Sequence, residues 1–287
     1  MLQSLVVRLR AAVLIFGMLL APAVAGAQPP QAATPPAQPP EERPDRDKPV
    51  DALEPDFALV ALPTTLRVPE HKFSFRVTHR FTRPLGQGDF GDLLSDGLGI
   101  DGGAQIGLEL RYGLLPGTQI GVHRTSDRTI QIFGQQSILS ERHGGFMGLD
   151  AYATFEGENN LQDHHQSTLG AISSKKIGGL LAVYAEPLVV INSNSLEIGD
   201  HDTFLLGLGA RLRVRPALYL VGEYTPRLAG FDPGVDQVSF GIEGRAGGHL
   251  FQVNFSNGFG TTLGQISRGG ISNDNWYFGF NISRKFF

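Results

Sequence analysis

The run DHHQST, residues 163–168, gathers the side chains best able to do chemistry. His165 and Ser167 stand two apart, so on a strand they share a face, where an imidazole can take the serine proton and make a nucleophile. Asp163, His164 and His165, with Glu158 as a fourth group, could be imagined around a metal. Adjacent histidines on a strand point to opposite faces and chelate poorly, so no metal is expected. Asp96 and Asp101 in SDGLGIDGG resemble a calcium loop only loosely, without the EF-hand spacing or its closing Glu. The same glycines make no nucleotide loop, because no Lys-Ser/Thr follows. With no cysteine, thiolate zinc sites, Cys-ligated clusters and disulfides are excluded. A polar loop or strand start accounts for 163–168 more simply than catalysis, so no enzyme and no cofactor is expected.

A second constellation is electrostatic. Arg76, Arg80, Glu109, Arg111, Asp150, Glu186, Arg211, Arg213, Glu223, Glu243 and Arg245 all fall on the polar phase of alternating segments. If those segments enclose a lumen, the charges line it. One reading is a constriction that selects solutes. The other is an internal network of ion pairs that fills the barrel. The mixed signs favour pairing and a narrow or plugged lumen, with residues 50–66 as a candidate plug.

The elements that would position these groups are strands. KFSFRVTHRFT places Phe73, Phe75, Val77 and Phe81 on one face, with Lys72, Ser74, Arg76, Thr78 and Arg80 on the other. Period two recurs in AQIGLELRY, FLLGLGARLRV, QVSFGIEGR, LFQVNFS and the final stretch. Weaker runs at 118–126, 129–139, 146–156, 167–174, 179–192 and 217–226 bring the expectation to about twelve strands. Pro187 costs one of them a ladder bond and suggests a bulge or kink. No segment after residue 50 carries a helical period. Long and short connections alternate, apart from one short turn near Ser126, as in an outer-membrane barrel. Tyr112, Phe155, Tyr224 and Trp276 lie near strand ends, where interfacial girdles form.

The first residues read differently. Arg8 and Arg10 precede the apolar AAVLIFGMLLAPAVA, and Ala25 and Ala27 make a cleavage pattern, so 1–27 is expected to be a cleaved signal peptide. The apolar run is shorter than the roughly 20 residues of a spanning helix. QPPQAATPPAQPPEERPDRDKP then favours extended polyproline II, and 28–66 reads as a proline-rich periplasmic linker and transitional segment. Residues 67–287 make the barrel. A formal charge of −4 gives no reason to expect nucleic acid.

FSFRVTHRFTRPLGQGDF, IGLELRYGLLPGTQIGVHRTSDRTIQIFG and WYFGFNISRKFF resemble an uncharacterised Gram-negative family of β-barrel domains of unknown function. His79-Arg80-Phe81 and the stretch Phe278 to Arg284 carry the likeness over most of residues 65–287. It implies an outer-membrane barrel, with no established activity or catalytic residues to carry over. His165-Gln166-Ser167 also looks like the H-x-S element of outer-membrane phospholipases and lipid A deacylases. Those enzymes orient the His with an Asn or Glu about twelve residues after the Ser. Gly179 stands there, and Asn159, Asn160 and Glu186 are off that pattern.

The expectation is therefore an all-β, closed antiparallel transmembrane barrel in the outer membrane of a Gram-negative bacterium, contacting outer-membrane lipid. It would be a narrow channel or transporter for small solutes. The alternatives are a structural scaffold, with a periplasmic partner on the proline-rich arm, and a lipid hydrolase using His165 and Ser167. The closing strand would present Trp276, Phe278, Phe280, Ile282 and Phe286, with Phe287 one step out of phase, at an end that barrel-assembly machinery reads.

Overall fold

The computed structural model describes residues 51–95, 102–195, 199 and 201–287. The expected signal peptide, the linker up to residue 50 and the aspartates Asp96 and Asp101 lie outside the described residues. The described chain is one antiparallel sheet that closes on itself. Its strands are β1 (Phe73–Pro84), β2 (Ala104–Leu115), β3 (Thr118–Thr125), β4 (Ile130–Leu139), β5 (Gly148–Gly157) and β6 (Asp163–Ile177). They continue with β7 (Leu181–Ile191), β8 (Thr203–Arg215), β9 (Leu218–Thr225), β10 (Arg227–Gly230), β11 (Gln237–Ala246), β12 (His249–Ser256) and β13 (Tyr277–Lys285). β10 is a short continuation of β9 along the start of β8, so twelve strands go round the barrel. Closure is β1 on β13, in register from Ser74↔Lys285 to Arg80↔Gly279. A closed sheet leaves no edge, so nearly all strand backbone groups can pair within the ring.

Alternation sets the two faces. Along β2, Ile106, Leu108, Leu110 and Tyr112 are exposed while Glu109 and Arg111 are buried. The same inversion, apolar out and polar in, recurs on β1, β3, β8, β11 and β12. Tyr112 pairs with Phe73, whose ring stacks on Phe286 at 4.4 Å, at the end of the barrel with the short turns. Phe155 and Tyr224 are exposed at the opposite end, where Trp276 packs edge-on against Phe240. Aromatics thus mark both rims.

Several boundaries differ from the sequence expectation. β6 begins at Asp163, so the histidines lie on a strand and the β5–β6 connection is only 158–162. Asn159, Asn160 and Leu161 turn there with positive φ. Pro187 makes no bulge: the register of β6 on β7 is unchanged across it, and the pairing merely skips Ala171 and Ile172. Its ring points outward, where the missing amide costs only the ladder bond. The β13 strand ends at Lys285, with the Phe286 amide donating to the Phe73 carbonyl at 3.1 Å. Phe287 follows the strand, so its phase carries no facial constraint. Short helices occur in the connections: α1 (Phe90–Ser95) and α2 (Leu263–Ser267). Each is too short to show a 3.6-residue period. No described helix is long and apolar enough to cross a membrane, which leaves crossing by strands untouched.

Candidate functional site

The interior of the barrel is filled from both ends. Residues 51–68 enter from the short-turn end. DFALVALPT folds as a tight hairpin, with the Leu59 amide donating to the Leu62 carbonyl at 2.8 Å and the Thr64 amide to Phe57 at 2.9 Å. Leu59, Val60 and Leu62 at its tip are fully buried. They share one apolar cluster with Ile172, Leu188 and Leu205 of the wall. Gly209 makes this possible, since a Cβ there would lie 2.1 Å from a Leu59 methyl. Gly209→Leu is therefore expected to drive the tip from its seat, an overpacking cost of about 1–3 kcal/mol. Thermal unfolding should show a lower midpoint, with a smaller loss for Gly209→Ala.

A hairpin inside a lumen must have its backbone groups satisfied by the wall. Glu223 accepts the amides of Val60, Ala61 and Leu62 at 3.1, 2.9 and 3.0 Å. The Val60 carbonyl accepts from Arg76 Nη2 at 2.8 Å, Asn281 Nδ2 at 3.0 Å and Arg80 Nη2 at 3.4 Å. Gln252 and Arg211 donate to the carbonyls of Leu59 and Ala58, at 2.9 and 2.8 Å. Gln135 donates to Thr64, and Gln119 accepts the Val68 amide. Arg111 and Lys285 both lie over the Phe57 ring, at 5.7 and 5.6 Å from its centre.

Ion pairs fix the limbs of the hairpin. Arg67 reaches Asp150 at 3.0 Å, and Asp56 reaches Lys285 at 3.5 Å. Near the entrance Lys176 bridges Asp51 and Glu54, at 2.6 and 2.8 Å. Burial pushes the Asp51 carboxyl up, but the Lys176 hydrogen bond, the Leu53 amide and the charges of Lys176 and Arg142 outweigh it and hold it below its ordinary value. A carboxyl depressed in the seated state stabilises seating above its ordinary pKa, and that contribution is lost as pH falls through the depressed value. Seating is expected to be constant down to about pH 5 and to weaken below about pH 4. Bilayer recordings at falling pH check this, with Asp51→Asn as the variant that should lose the acid step.

The second insertion comes from the long-loop end. Residues 257–276 fold inward and bury Leu263 and Ile266 of α2 in the same apolar cluster as the hairpin tip. α2 starts with a capping box: Thr262 accepts from the Gln265 amide, and the Gln265 side chain returns to the Thr262 amide. Glu156 of β5 anchors it, accepting from Thr262 Oγ1 at 2.8 Å and the Gly264 amide at 3.2 Å, while Gln131 and Gln166 complete the carboxylate at 3.0 Å each. Gly264 is needed for this approach, since a Cβ would sit 2.1 Å from Gln166 Nε2. Arg268 pairs with Glu158 at 2.5 Å.

Arg76, Arg80, Glu109, Arg111, Arg211, Glu223 and Glu243 are buried in the interior, while Arg213 and Arg245 are half-exposed near the short-turn end. Glu109 pairs with Arg111 at 2.5 Å and Glu243 with Arg211 at 2.7 Å. Arg80 is in no ion pair among the described residues; besides the hairpin it bonds Asn281 and its neighbour's carbonyl. Glu186 is fully buried and neither carboxylate oxygen has a hydrogen-bond partner.

His165 and Ser167 share the outward face of β6. The His165 ring lies parallel to Phe155 at 5.5 Å, and its Nε2 bonds the Leu161 carbonyl at 2.9 Å rather than the serine. No group of three or more metal-ligating side chains occurs among the described residues. Sequence reading missed Glu156 and the polar amides Gln119, Gln135, Gln252 and Asn281. Their signal was present, because each occupies an inward phase, but amides in a strand carry no mark of a specific partner. Thr262 and Gln265 also have capping-box spacing, which identifies α2 without any helical period.

The comparisons match a membrane β-barrel. A comparison with curated proteins finds no match. Among solved structures, the NanC porin aligns with a TM-score of 0.51 at 8% identity, over 75% of this chain and all of that one. A triple-mutant Rhodopseudomonas blastica porin aligns with a TM-score of 0.34 at 12% identity, over 63% of this chain and 55% of that one. The first likeness supports the barrel fold. A family described as a membrane bound beta barrel domain (DUF5777) matches residues 56–286, a span that takes in most of the hairpin as well as every strand. The chain belongs to that family.

Proposed function

We propose that this membrane barrel is a channel for small solutes, closed in the form described by residues 51–68 and opened when that hairpin is displaced. The observation that carries the reading is how the hairpin is held. Its backbone is gripped by side chains of the wall and shares no ladder with the barrel strands around its tip. Such contacts can be exchanged for water without unfolding the barrel. The hairpin continues into the proline-rich segment at the short-turn end, which we place in the periplasm of a Gram-negative cell. A periplasmic partner acting on that arm could then pull on the hairpin. Residues 257–276 would remain as a constriction, keeping the open pore narrow.

The test is planar-bilayer recording of the detergent-purified protein beside a variant lacking residues 51–66. The full chain is expected to be closed for most of the record. The shortened chain should give long stepwise openings. Silence from a shortened chain that still resists denaturation as a folded barrel would reject the channel and leave a structural scaffold.

A further inference from the structure

We infer that the lumen site occupied by Val60 is an amino-acid site: it would take a zwitterionic α-amino acid, with the carboxylate at Arg76 and Arg80 and the ammonium at Glu223 and Glu186. The inference rests on the channel reading and names a substrate class for it.

Val60 is gripped on both sides of its backbone. Glu223 binds the Val60 amide at 3.1 Å, while Arg76, Asn281 and Arg80 bind the carbonyl of the same residue at 2.8, 3.0 and 3.4 Å. The groups on the two sides are therefore separated by one amino-acid backbone. Both sides carry more charge than a peptide unit can use. Two guanidiniums meet one neutral carbonyl oxygen: Arg76 is shared with the Leu59 carbonyl at 3.3 Å and with Asp56, 3.9 Å from its Nε, while Arg80 has no ion pair among the described residues and its Nε has no hydrogen-bond partner. On the acidic side Glu186 lies within electrostatic reach of Glu223, fully buried, with both oxygens unpartnered. A buried carboxyl without a partner is costly, and an ammonium beside it would supply the missing donors. A free amino acid replaces the neutral carbonyl by a carboxylate and the amide by an ammonium at the same spacing. Val60 also belongs to the cluster of Leu59, Leu62, Leu188 and Leu205, so an apolar side chain suits the position. The hairpin then acts as a tethered competitor that fits the site without using its full charge.

Two readouts on the full-length chain test this. In liposomes carrying Gly209→Leu, which unseats the hairpin, swelling in L-valine is expected to be about tenfold faster than in erythritol, from charge-assisted bonds that the uncharged solute lacks. N-acetyl-L-valine and L-valinamide each lack one charge and should lose that advantage. Glu186→Gln, close in shape to the original, should reduce it. In the closed chain, a thiol placed by Ala58→Cys should react with a soluble maleimide faster in L-valine than in either blocked derivative, because the free amino acid competes with the hairpin. This second readout does not depend on Gly209→Leu folding. Absence of swelling in every solute would count against the channel itself. Swelling that does not separate L-valine from erythritol, or a labelling rate indifferent to L-valine, would overturn the amino-acid site.

Discussion

Glu223→Ala is expected to leave the barrel closed in sheet terms but open in its lumen, with the hairpin released for a much larger share of the time. The carboxylate accepts three consecutive backbone amides of the hairpin tip. Among the described residues no other acceptor is bonded to them. Seating the tip in the variant would bury three unsatisfied amides, and each such group costs about 1–3 kcal/mol. Removing the charge also relieves Glu186, which offsets part of that loss. A net destabilisation of the seat of roughly 3–5 kcal/mol follows, comparable to breaking a buried charged contact. Every 1.4 kcal/mol is tenfold in the seating equilibrium, so the ratio of open to closed time should rise roughly 100- to 4000-fold. Glu223→Gln keeps one acceptor oxygen and should fall between. Open probability in single-channel records reads the effect, and equal records for parent and variant would remove Glu223 from the account.

Glu156→Ala is expected to free the other insertion. This carboxylate joins the start of α2 to the wall through Thr262 and Gly264, and it also organises Gln131 and Gln166. Without it the capping box survives, since that is internal to the loop, but the loop loses its attachment to β5. The apolar contacts of Leu263 and Ile266 remain, so the loss is smaller than their burial, on the order of 2–3 kcal/mol for an anchoring carboxylate. Arg268 follows α2 and is partly buried, paired with Glu158. Trypsin should cut after Arg268 in the variant about 30- to 100-fold faster than in the parent, from the same conversion of energy to population. Equal cleavage would mean that the loop is held by its apolar residues alone.

Sequence made the barrel readable because period two is a property of each strand by itself. Phe73, Phe75 and Val77 point away from Arg76 and Arg80 whatever lies in between. The inward charges were legible for the same reason. What they do was not, because partnership across a lumen depends on curvature and register. Arg211 meets Glu243 two strands away, while Glu109 meets Arg111 on its own strand. The hairpin was visible only as a few apolar residues between prolines. Nothing local in DFALVALPT says that Glu223, more than 160 positions later, takes its amides. His165 and Ser167 show what spacing alone leaves open. Their spacing gives a shared face, but the face looks outward, and the phase of β6 became clear only with its start at Asp163.

The central claim is that residues 51–68 occupy the lumen. The chain has no cysteine, so a single introduced thiol reports without background. Ala58→Cys places it in the hairpin, where Ala58 is 1% exposed, and Asn273→Cys places a control in an exposed part of the long-loop end. Labelling by a soluble maleimide should be slow at residue 58 and fast at residue 273 in the folded barrel, with the two rates meeting only after denaturation. Equal rapid labelling of both thiols in the folded protein would contradict a seated hairpin and the closed channel built on it.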